Sequence, residues 1–415
     1  MNQTKKLKIL MIAPTPYFSD RGCHVRIYEE AKALMNRGHE VVICTYHLGR
    51  DLGDMSIVRI PNIPWYKKRS AGPSWHKLYL DILLLIKSWK TSRRLAPDVI
   101  HAHLHEGALI GFFLKKLFGV PLVFDCQGSL AGELLDHGFV LKRGWLYRLF
   151  RAVEGLIDRG ADHIITSSSL AAQMLVTEFD IPVSRVTAVG DGVDVDVFSP
   201  IPPSASLRQQ LGLPTDIPLV VYLGVMTEYQ GMDSLLGAIK LLHEQGGGLH
   251  FLLMGYPEES YRHRAKVLGI ASMTTFTGKI DYANARAYLC LGTLAVSPKR
   301  SKTEANGKLY NYMACGLPTV VFDTAVNREV LGNAGVYAVC GDVLDFANKI
   351  KRLAEDKDYS MQLSRMAREK AVEEYAWDRV AGSIEESYRM ALEHLRSGRN
   401  RVTFGGEGKG RGLNG

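Results

Sequence analysis

The sequence predicts an α/β protein of two domains, each with a parallel β-sheet covered by helices on both faces. With 415 residues the chain is too long for one ordinary core and suits two domains of about 200 residues each. Short runs of β-branched residues alternate with amphipathic stretches in both halves, as expected for parallel strands joined by crossover helices. A stiff proline-rich stretch at residues 199–204 separates the two series.

The first half contains five strand-like runs, at residues 8–13, 40–45, 98–103, 120–125 and 162–166. A loop rich in proline and glycine follows the first run and leads into a helix through Ala33. That helix is expected to end near Gly38, because glycine readily adopts the left-handed conformation that ends many helices.

The second half repeats the pattern, with strand-like runs at residues 218–224, 249–255, 273–277, 294–298 and 319–322. We expect domains at residues 1–200 and 217–380, joined by a linker at 201–216. A C-terminal helix is expected at 381–395. The tail at 396–415, rich in Gly, Arg and Asn, is expected to be disordered.

Composition excludes several classes of protein. The six cysteines are scattered without a Cys-x-x-Cys pair, which argues against a disulfide framework or a zinc site and for a reducing compartment. The start of the chain is polar and basic, and the longest apolar run is interrupted by Asp81, so neither a secretory signal nor a membrane span is predicted. The net charge of +8 points weakly to anionic lipid or phosphate, and no nucleic-acid recognition motif accompanies it. We expect a cytoplasmic protein that does not bind nucleic acid.

Six short motifs follow one another in a specific order. They are Gly-His-Glu-Val at 38–41, Asp-Val-Ile-His-Ala-His at 98–103, Asp-Gly-Val-Asp at 191–194 with Phe198 and Pro200, the Gly224…Gly231 loop, Phe-Thr-Gly at 276–278, and Tyr-Met-Ala-Cys-Gly-Leu-Pro at 312–318. In this order the sequence resembles the family-four glycosyltransferases over residues 8–395. The resemblance implies a GT-B fold, in which two Rossmann-like doubly wound domains face each other across a cleft. It also implies a nucleotide-sugar donor and a retaining reaction that needs no metal or other cofactor.

The donor half of the site is expected around residues 297–308, between a strand and a helix. The leaving group is a nucleoside diphosphate, so the site must stabilise negative charge. Asn306 and Gly307 suit a tight turn that lets the backbone approach phosphate or sugar. The alternative interpretation of this segment is a basic surface loop.

The chain departs from the family pattern at two points. Relatives carry an Arg after the glycine that corresponds to Gly224 and a Lys before the next glycine, whereas this chain has Val225 and Gln230. We hypothesise that Lys299 and Lys308, which flank the expected diphosphate position, supply the missing charge.

The paired glutamates of the family are the second departure, because their positions fall on Thr303 and Asn311. Asn311 can still accept hydrogen bonds from ribose hydroxyls through its amide oxygen. Glu304, beside Thr303, either holds the sugar hydroxyls or is a solvated acid among basic neighbours.

In the first domain, Gly22 is expected where the backbone approaches the donor or the acceptor. Arg26, one turn into the helix, faces the cleft or is an ordinary surface charge. The resemblance gives His103 contact with the transferred sugar, with His105 as a fallback, and places Gln127 on the acceptor side.

His101, His103 and His105 occupy alternate positions at a strand end, which would put them on one face or in line toward the end of the strand. Such spacing is compatible with a metal site, but the sequence shows no paired carboxylate cluster beside them, and no metal is expected. The alternative for His101 is a histidine hydrogen-bonded in a packed loop.

The mechanism implied by the resemblance is a front-face displacement. A double displacement would need a carboxylate nucleophile about 5 Å from an acid/base partner, and the sequence shows no convincing pair. In the front-face route the departing phosphate oxygen takes the acceptor proton while cations hold its charge.

Two stretches, residues 65–94 and 139–151, mix aromatic and basic residues and predict peripheral contact with the inner face of an anionic membrane. They are also compatible with helices that pack on the first sheet with snorkelling lysines. Membrane contact would suit a lipid-linked or glycan acceptor. Two other functions stay open on sequence grounds, a sugar-nucleotide epimerase of the same fold and a non-catalytic sugar-nucleotide or glycan-binding protein.

Overall fold

The computed structural model describes residues 6–19, 22–53, 55–68, 75–131, 144–300 and 306–404, with side chains described up to residue 396. The chain divides into two compact units. The first unit contains the chain up to Ser19, Glu30–Val189 and the chain from Ala381 onwards. The second unit contains Asp20–Glu29 and Gly190–Val380. Glu304 and Thr303 lie outside the described residues, as do residues 405–415 of the predicted tail.

The first unit is built on a seven-stranded sheet of order β3-β2-β1-β4-β5-β6-β7, in which every pairing is parallel. Its strands are β1 (Lys8–Ala13), β2 (Glu40–Thr45), β3 (Ser56–Arg59), β4 (Val99–His103), β5 (Leu122–Cys126), β6 (His163–Thr166) and β7 (Val186–Ala188). The helices of this part of the chain are α1 (Gly22–Asn36), α2 (Lys77–Leu95), α3 (Leu104–Phe118), α4 (Trp145–Gly160) and α5 (Ser169–Phe179).

The second unit has a six-stranded sheet of order β10-β9-β8-β11-β12-β13, also parallel throughout. Its strands are β8 (Leu219–Leu223), β9 (His250–Met254), β10 (Thr274–Gly278), β11 (Leu294–Ser297), β12 (Thr319–Phe322) and β13 (Gly335–Ala338). The helices are α6 (Ala205–Gln210), α7 (Met232–Glu244), α8 (Glu259–Val267), α9 (Ala285–Leu289), α10 (Lys308–Ala314), α11 (Ala325–Leu331), α12 (Val343–Glu355) and α13 (Lys357–Glu374).

The predicted fold class of two parallel-sheet α/β domains is confirmed. When the strands are numbered within each unit, both sheets contain the doubly wound order 3-2-1-4-5-6, and the first sheet adds a seventh strand at its edge. The direction of the strand order reverses between β1 and β4 in the first sheet and between β8 and β11 in the second. In open α/β sheets, ligands bind outside the carboxyl ends of the strands at this switch point.

The final helix, α14 (Trp377–Phe404), begins earlier and extends further than the predicted helix at 381–395. Its exposed side carries charge pairs one turn apart, such as Arg389 with Glu386 and Glu393, whereas Ile384, Tyr388 and Ala391 on its other side are buried. Strands β3, β7 and β13 were not predicted. All three lie at sheet edges. The residues of β3 and β7 are half-buried or exposed, and β13 alternates half-buried with buried residues, so all three lack the continuous apolar run of the central strands.

The second sheet is buried on both faces. Along β8, Val220 and Tyr222 belong to one core cluster, and Leu219 and Val221 belong to the other. Side chains of a strand alternate between faces, so this division shows an apolar core on each side of the sheet. Within the described parts of the chain, no helix has both the length and the apolar character needed to cross a membrane.

Candidate active site

Three loops meet at the switch point of the second sheet. Gly224 and Gly231, which bound the loop after β8, have φ angles of 147° and 79°, a region that favours glycine. A Cβ atom on Gly231 would lie 2.1 Å from the carbonyl oxygen of Pro298, which follows β11. A Cβ atom on Gly255, after β9, would lie 1.7 Å from the carbonyl oxygen of Gly224. The glycines therefore let these backbones come into direct contact at the expected ligand edge.

Lys308, the first residue of α10, points at the loop after β8. Its Nζ donates to Gln230 Oε1 at 3.0 Å and to Tyr222 Oη at 3.4 Å, and it lies 4.4 Å from the centre of the Tyr222 ring. Burial, reinforced by the nearby Lys299 ammonium, lowers the pKa of Lys308 to about 7. Lys299 is 6% exposed, and its Nζ lies 5.4 Å from the centre of the Tyr229 ring in the same loop.

Gln230 and Val225, the positions where this chain departs from the family pattern, both contact the Lys308–Tyr222 pair. Gln230 accepts a hydrogen bond from Lys308, and the carbonyl oxygen of Val225 accepts one from the Tyr222 hydroxyl at 2.8 Å. Two lysines from the β11–α10 segment thus approach the loop in which relatives carry their cations. Sequence reasoning missed Tyr222, because an aromatic residue inside a buried strand carries no signal of contact with a lysine.

Asn306 is buried and fixes the start of α10. Its Nδ2 donates to Ser297 Oγ and to Asn327 Oδ1, both at 3.0 Å, and Asn327 Nδ2 donates to the carbonyl oxygen of Phe322 at 2.8 Å. The ends of β11 and β12 are tied together through this amide. Asn306 therefore positions Lys308, while its own amide is occupied within the protein.

Gly307 and Asn311 lie on either side of Lys308. Gly307 is exposed, and a Cβ atom there would lie 3.0 Å from Asp191 Oδ2. Asn311 is half-buried on α10, nearly one turn after Lys308. The structure therefore brings together the predicted donor residues Gly224, Lys299, Asn306, Gly307 and Lys308, with Asn311 on the adjoining turn.

Arg26 is not an ordinary surface charge. Its side chain is 4% exposed, and Nη1 donates to Asp191 Oδ1 at 2.6 Å within the second unit. Asp191 opens the Asp-Gly-Val-Asp motif and lies beside Gly307. Gly22 is the first residue of α1 and is exposed, and no atom lies within 4 Å of where its Cβ would be.

His103 ends β4 in the first unit and is fully buried. Its Nδ1 donates to Asp125 Oδ2 at 3.0 Å, and Gln127 Nε2 donates to the same oxygen at 2.9 Å. Gln127 is half-buried and belongs to the loop after β5. Contact between His103 and the transferred sugar stays a prediction, and the described hydrogen bonds connect His103 through Asp125 to the half-buried Gln127.

The expectation that no carboxylates accompany the histidines was wrong. Glu30 of α1 places Oε2 3.9 Å from His101 Nε2 and 4.0 Å from His103 Nε2, and Asp125 of β5 joins the same buried cluster. Neither acid is near the histidines in sequence. Helix packing and strand pairing bring them together, so sequence spacing had no means of showing them.

Of the two arrangements expected for the three histidines, the structure contradicts a shared face for His105. Strand β4 ends at His103 and α3 begins at Leu104, so the alternation stops before His105. His105 packs against Phe124 and lies 3.5 Å from Asp158 Oδ1 through its Nε2. Burial opposes the charged ring, but the hydrogen bond and charge of Asp158, together with Glu154, outweigh it and raise the pKa of His105.

Two family models match this chain. The model described as a Glycosyl transferase 4-like domain matches residues 21–192, and the model described as Glycosyl transferases group 1 matches residues 217–356. A D-inositol 3-phosphate glycosyltransferase of Thermobispora bispora is 26% identical over 395 residues, which cover 90% of this chain and 91% of that protein.

Solved structures share the fold. Sucrose-phosphate synthase from Thermosynechococcus elongatus has a TM-score of 0.77 at 18% identity, covering 94% of this chain and 100% of the other. The Anabaena protein HepE in complex with UDP-glucose has a TM-score of 0.74 at 16% identity, covering 92% of this chain and 99% of the other. The two family models match the two halves of the chain in succession, and the chain belongs to the family-four glycosyltransferases of the GT-B fold.

Proposed function

We propose that this glycosyltransferase moves a hexose from a nucleoside-diphosphate sugar to a glycan or lipid-linked acceptor, with retention of configuration and without a metal in the reaction. The observation that carries the proposal is the pair of lysines at the switch point of the second sheet. Lys308 and Lys299 approach one glycine-bounded loop, where the doubly wound fold directs its ligands.

The electrostatics of this pair favour a diphosphate. The pKa of Lys308 falls to about 7 because its ammonium is buried and lies near Lys299. A diphosphate between them would favour the charged form of both lysines. Charge on the departing diphosphate grows as the glycosidic bond breaks, so these cations would stabilise the transition state more than the ground state. The Anabaena HepE structure holds UDP-glucose, which supports this class of donor.

In the proposed reaction, the bond from the anomeric carbon to the diphosphate oxygen breaks, and the bond to the acceptor oxygen forms on the same face of the sugar. The acceptor proton passes to the departing phosphate oxygen. We assign contact with the sugar or acceptor to Gln127, the member of the His103–Asp125–Gln127 chain at the surface. His103 then acts as a positioning residue, because it orients Asp125 and through it the Gln127 amide.

Thermal unfolding with a panel of nucleoside diphosphates and their sugars, in the presence of EDTA, tests the donor site. Ligands that bind the native state raise its melting temperature. We expect one base to give a shift with its diphosphate and with its sugar conjugate. NMR of the transferred sugar then checks retention of the anomeric configuration. If no nucleotide or nucleotide sugar raises the melting temperature, the proposed donor site is contradicted. A product with inverted anomeric configuration would contradict the mechanism.

We also propose that the first unit docks on an anionic membrane through the layer formed by α2, α3 and α4. Helix α3 packs against both of its neighbours, so their outward sides form one surface, which we call the three-helix surface. Each helix presents exposed apolar side chains roughly one turn apart. These are Leu78, Ile82 and Ile86 on α2, Leu109, Phe113 and Leu117 on α3, and Trp145, Leu149 and Leu156 on α4.

The charges on the three-helix surface suit an anionic partner. Its exposed basic side chains are Lys90, Arg93, Arg94, Lys116 and Arg148. The acids of the same helices, Asp81, Glu106, Glu154 and Asp158, are half-buried or buried. Exposed apolar stripes with basic neighbours match the interface of an anionic bilayer. The predicted stretch at 65–94 contributes to this surface, whereas residues 69–74 and 132–143 lie outside the described residues.

Flotation of the full chain with vesicles tests the membrane surface. We expect binding to vesicles rich in phosphatidylglycerol, weaker binding in high salt, and loss of binding for Ile82→Glu and Phe113→Glu. Val267→Glu is the matched control, because Val267 is 73% exposed but lies in the second unit. Equal loss for the control, or no binding by the unaltered protein, would contradict this part of the proposal.

A further inference from the structure

The polar face of the first sheet holds two histidines whose rings stack 4.5 Å apart, His101 and His103. Both are fully buried, and the Nε2 atoms of both approach the same carboxylate oxygen of Glu30. We propose that the first unit binds one divalent transition-metal ion of the zinc class through His101 Nε2, His103 Nε2 and the Glu30 carboxylate. The ion would have a structural role and no contact with substrate.

The outer ring nitrogens of both histidines are already held. His101 Nδ1 pairs with Tyr388 Oη at 2.7 Å, and His103 Nδ1 donates to Asp125 Oδ2 at 3.0 Å. Histidines that bind metals usually engage their second nitrogen with a carboxylate or another polar group in this way, which fixes the tautomer and the ring orientation. His103 Nε2 is left buried, without a hydrogen-bond partner among the described residues.

The spacing of the atoms fits an ion better than direct hydrogen bonds. Nε2–Oε2 distances of 3.9 and 4.0 Å exceed the roughly 3.2 Å upper range of a hydrogen bond. Ligand atoms around a tetrahedral zinc ion lie about 3.3 Å apart, given bonds of about 2.0–2.1 Å. The ligand atoms of this cluster lie within 4.8 Å of one another, so the side chains would move closer together and the stacked rings would turn as the site closes. Imidazole with carboxylate is a donor set that zinc accepts.

Charge and burial support a structural metal site that is closed to solvent. Glu30 and Asp125 place two carboxyl groups in a fully buried setting beside the two histidines, which favours a cation there. Its ligands come from α1 and β4, and Tyr388 of α14 holds one of them, so the ion would tie three elements that are distant in sequence.

The test uses the full chain without a histidine tag, stripped with a chelator and titrated with Zn²⁺ by calorimetry. We expect about one ion per chain and, with zinc in excess, a melting temperature about 5–10 °C higher. His103→Gln and Glu30→Gln should abolish stoichiometric binding. Asp125→Asn and Tyr388→Phe, which alter only the outer partners, should weaken the affinity by about 10–100-fold.

His163→Gln is the matched control, because His163 is a buried histidine of β6 whose Nε2 pairs with Thr187 Oγ1 at 2.8 Å. It should leave zinc binding unchanged. X-ray absorption at the zinc edge of the unaltered protein needs no variant and should show two imidazole ligands and carboxylate oxygen. Failure of the stripped protein to bind zinc, equal loss in the control, or a sulfur ligand would overturn the proposal.

Discussion

The two units share one strand order but place opposite chemistry near their switch points. In the first unit, the end of β4 and its neighbours carry His103, Asp125 and Glu30, acids and bases that face one another inside the protein. In the second unit, the loops after β8 and β11 carry Lys308 and Lys299, two like charges near one another. The first arrangement is internally compensated, whereas the second would gain its compensation from the proposed diphosphate.

This difference shows that the backbone fold fixes where polar groups converge, and the side chains decide whether they serve stability or ligand binding. Buried groups that satisfy one another stabilise the protein when intact. Buried like charges oppose folding and favour a ligand of the other sign. Substitutions in the two units should therefore act on different properties.

The largest effect is expected from Lys308→Ala. Loss of this cation should lower the turnover of sugar transfer by about 10²–10³-fold, because the departing diphosphate would lose one of the two cations proposed to stabilise its charge. Steady-state kinetics with the donor found by the nucleotide panel measures the change. Lys240→Ala is the control, since Lys240 is an exposed lysine paired only loosely with Glu244 at 3.7 Å. Unchanged kinetics for Lys308→Ala would show that the diphosphate binds elsewhere.

The matching change in the first unit is Asp125→Asn. Replacing the acceptor of His103 Nδ1–H and Gln127 Nε2–H should lower the free energy of unfolding of the metal-free protein by about 1–3 kcal/mol. Urea denaturation followed by circular dichroism measures it. If Asp125→Asn were as stable as the unaltered protein, the cluster would not be the compensated network described above.

The pH dependence of nucleotide binding should report the protonation of Lys308 in the second unit. The free protein loses the Lys308 proton near pH 7, and a bound diphosphate would raise the pKa of that ammonium, so binding takes up a proton above pH 7. The Kd for UDP should therefore rise with pH between about 7.5 and 9, by at most about tenfold per pH unit. Calorimetry at several pH values measures it.

Lys308→Met should remove that slope. The same variant should be more stable than the unaltered, ligand-free protein at pH 7, because the depressed pKa of Lys308 costs native stability below about pH 10, where the unfolded lysine holds its proton. A pH slope that persists in Lys308→Met would assign the proton uptake to another group.

The smallest effects are expected from helix caps, which lie away from both polar clusters. Ser168 Oγ accepts from the backbone of Ala171 at the start of α5. Asp342 Oδ1 accepts from Leu344 and Asp345 at the start of α12. Ser168→Ala and Asp342→Ala should each cost about 1 kcal/mol. Hydrogen exchange should show the loss in the unit that carries the substitution, and a loss spread evenly over both units would contradict their description as separate compact units.

Much of the fold was predictable because its signals are local. Strands β1, β2 and β12 coincide with the predicted runs, since a buried parallel strand needs a short apolar sequence of its own. Strand β3 was missed because its stability comes from pairing with β2 at a sheet edge, which leaves only a weak pattern in its residues.

The candidate site was predictable in part. Lys308, Lys299 and Gly224 were singled out because they lie in loops that follow predicted strands, and the carboxyl ends of parallel strands meet at one edge. Arg26 was left between two interpretations, and its partner Asp191 is 165 residues away. No periodicity in the sequence links two such positions.

The sequence alone determined the fold class, the family and the segments of the proposed donor site, because periodicity and motif order are properties of neighbouring residues. Tertiary structure decided how the polar groups combine. It brought Glu30, Asp125 and Tyr388 to the histidines of β4, separated His105 from them where the strand ends, and directed Lys308 onto the loop in which the usual cations are missing. These outcomes depend on packing between distant segments, and burial then sets the charge that each group can carry.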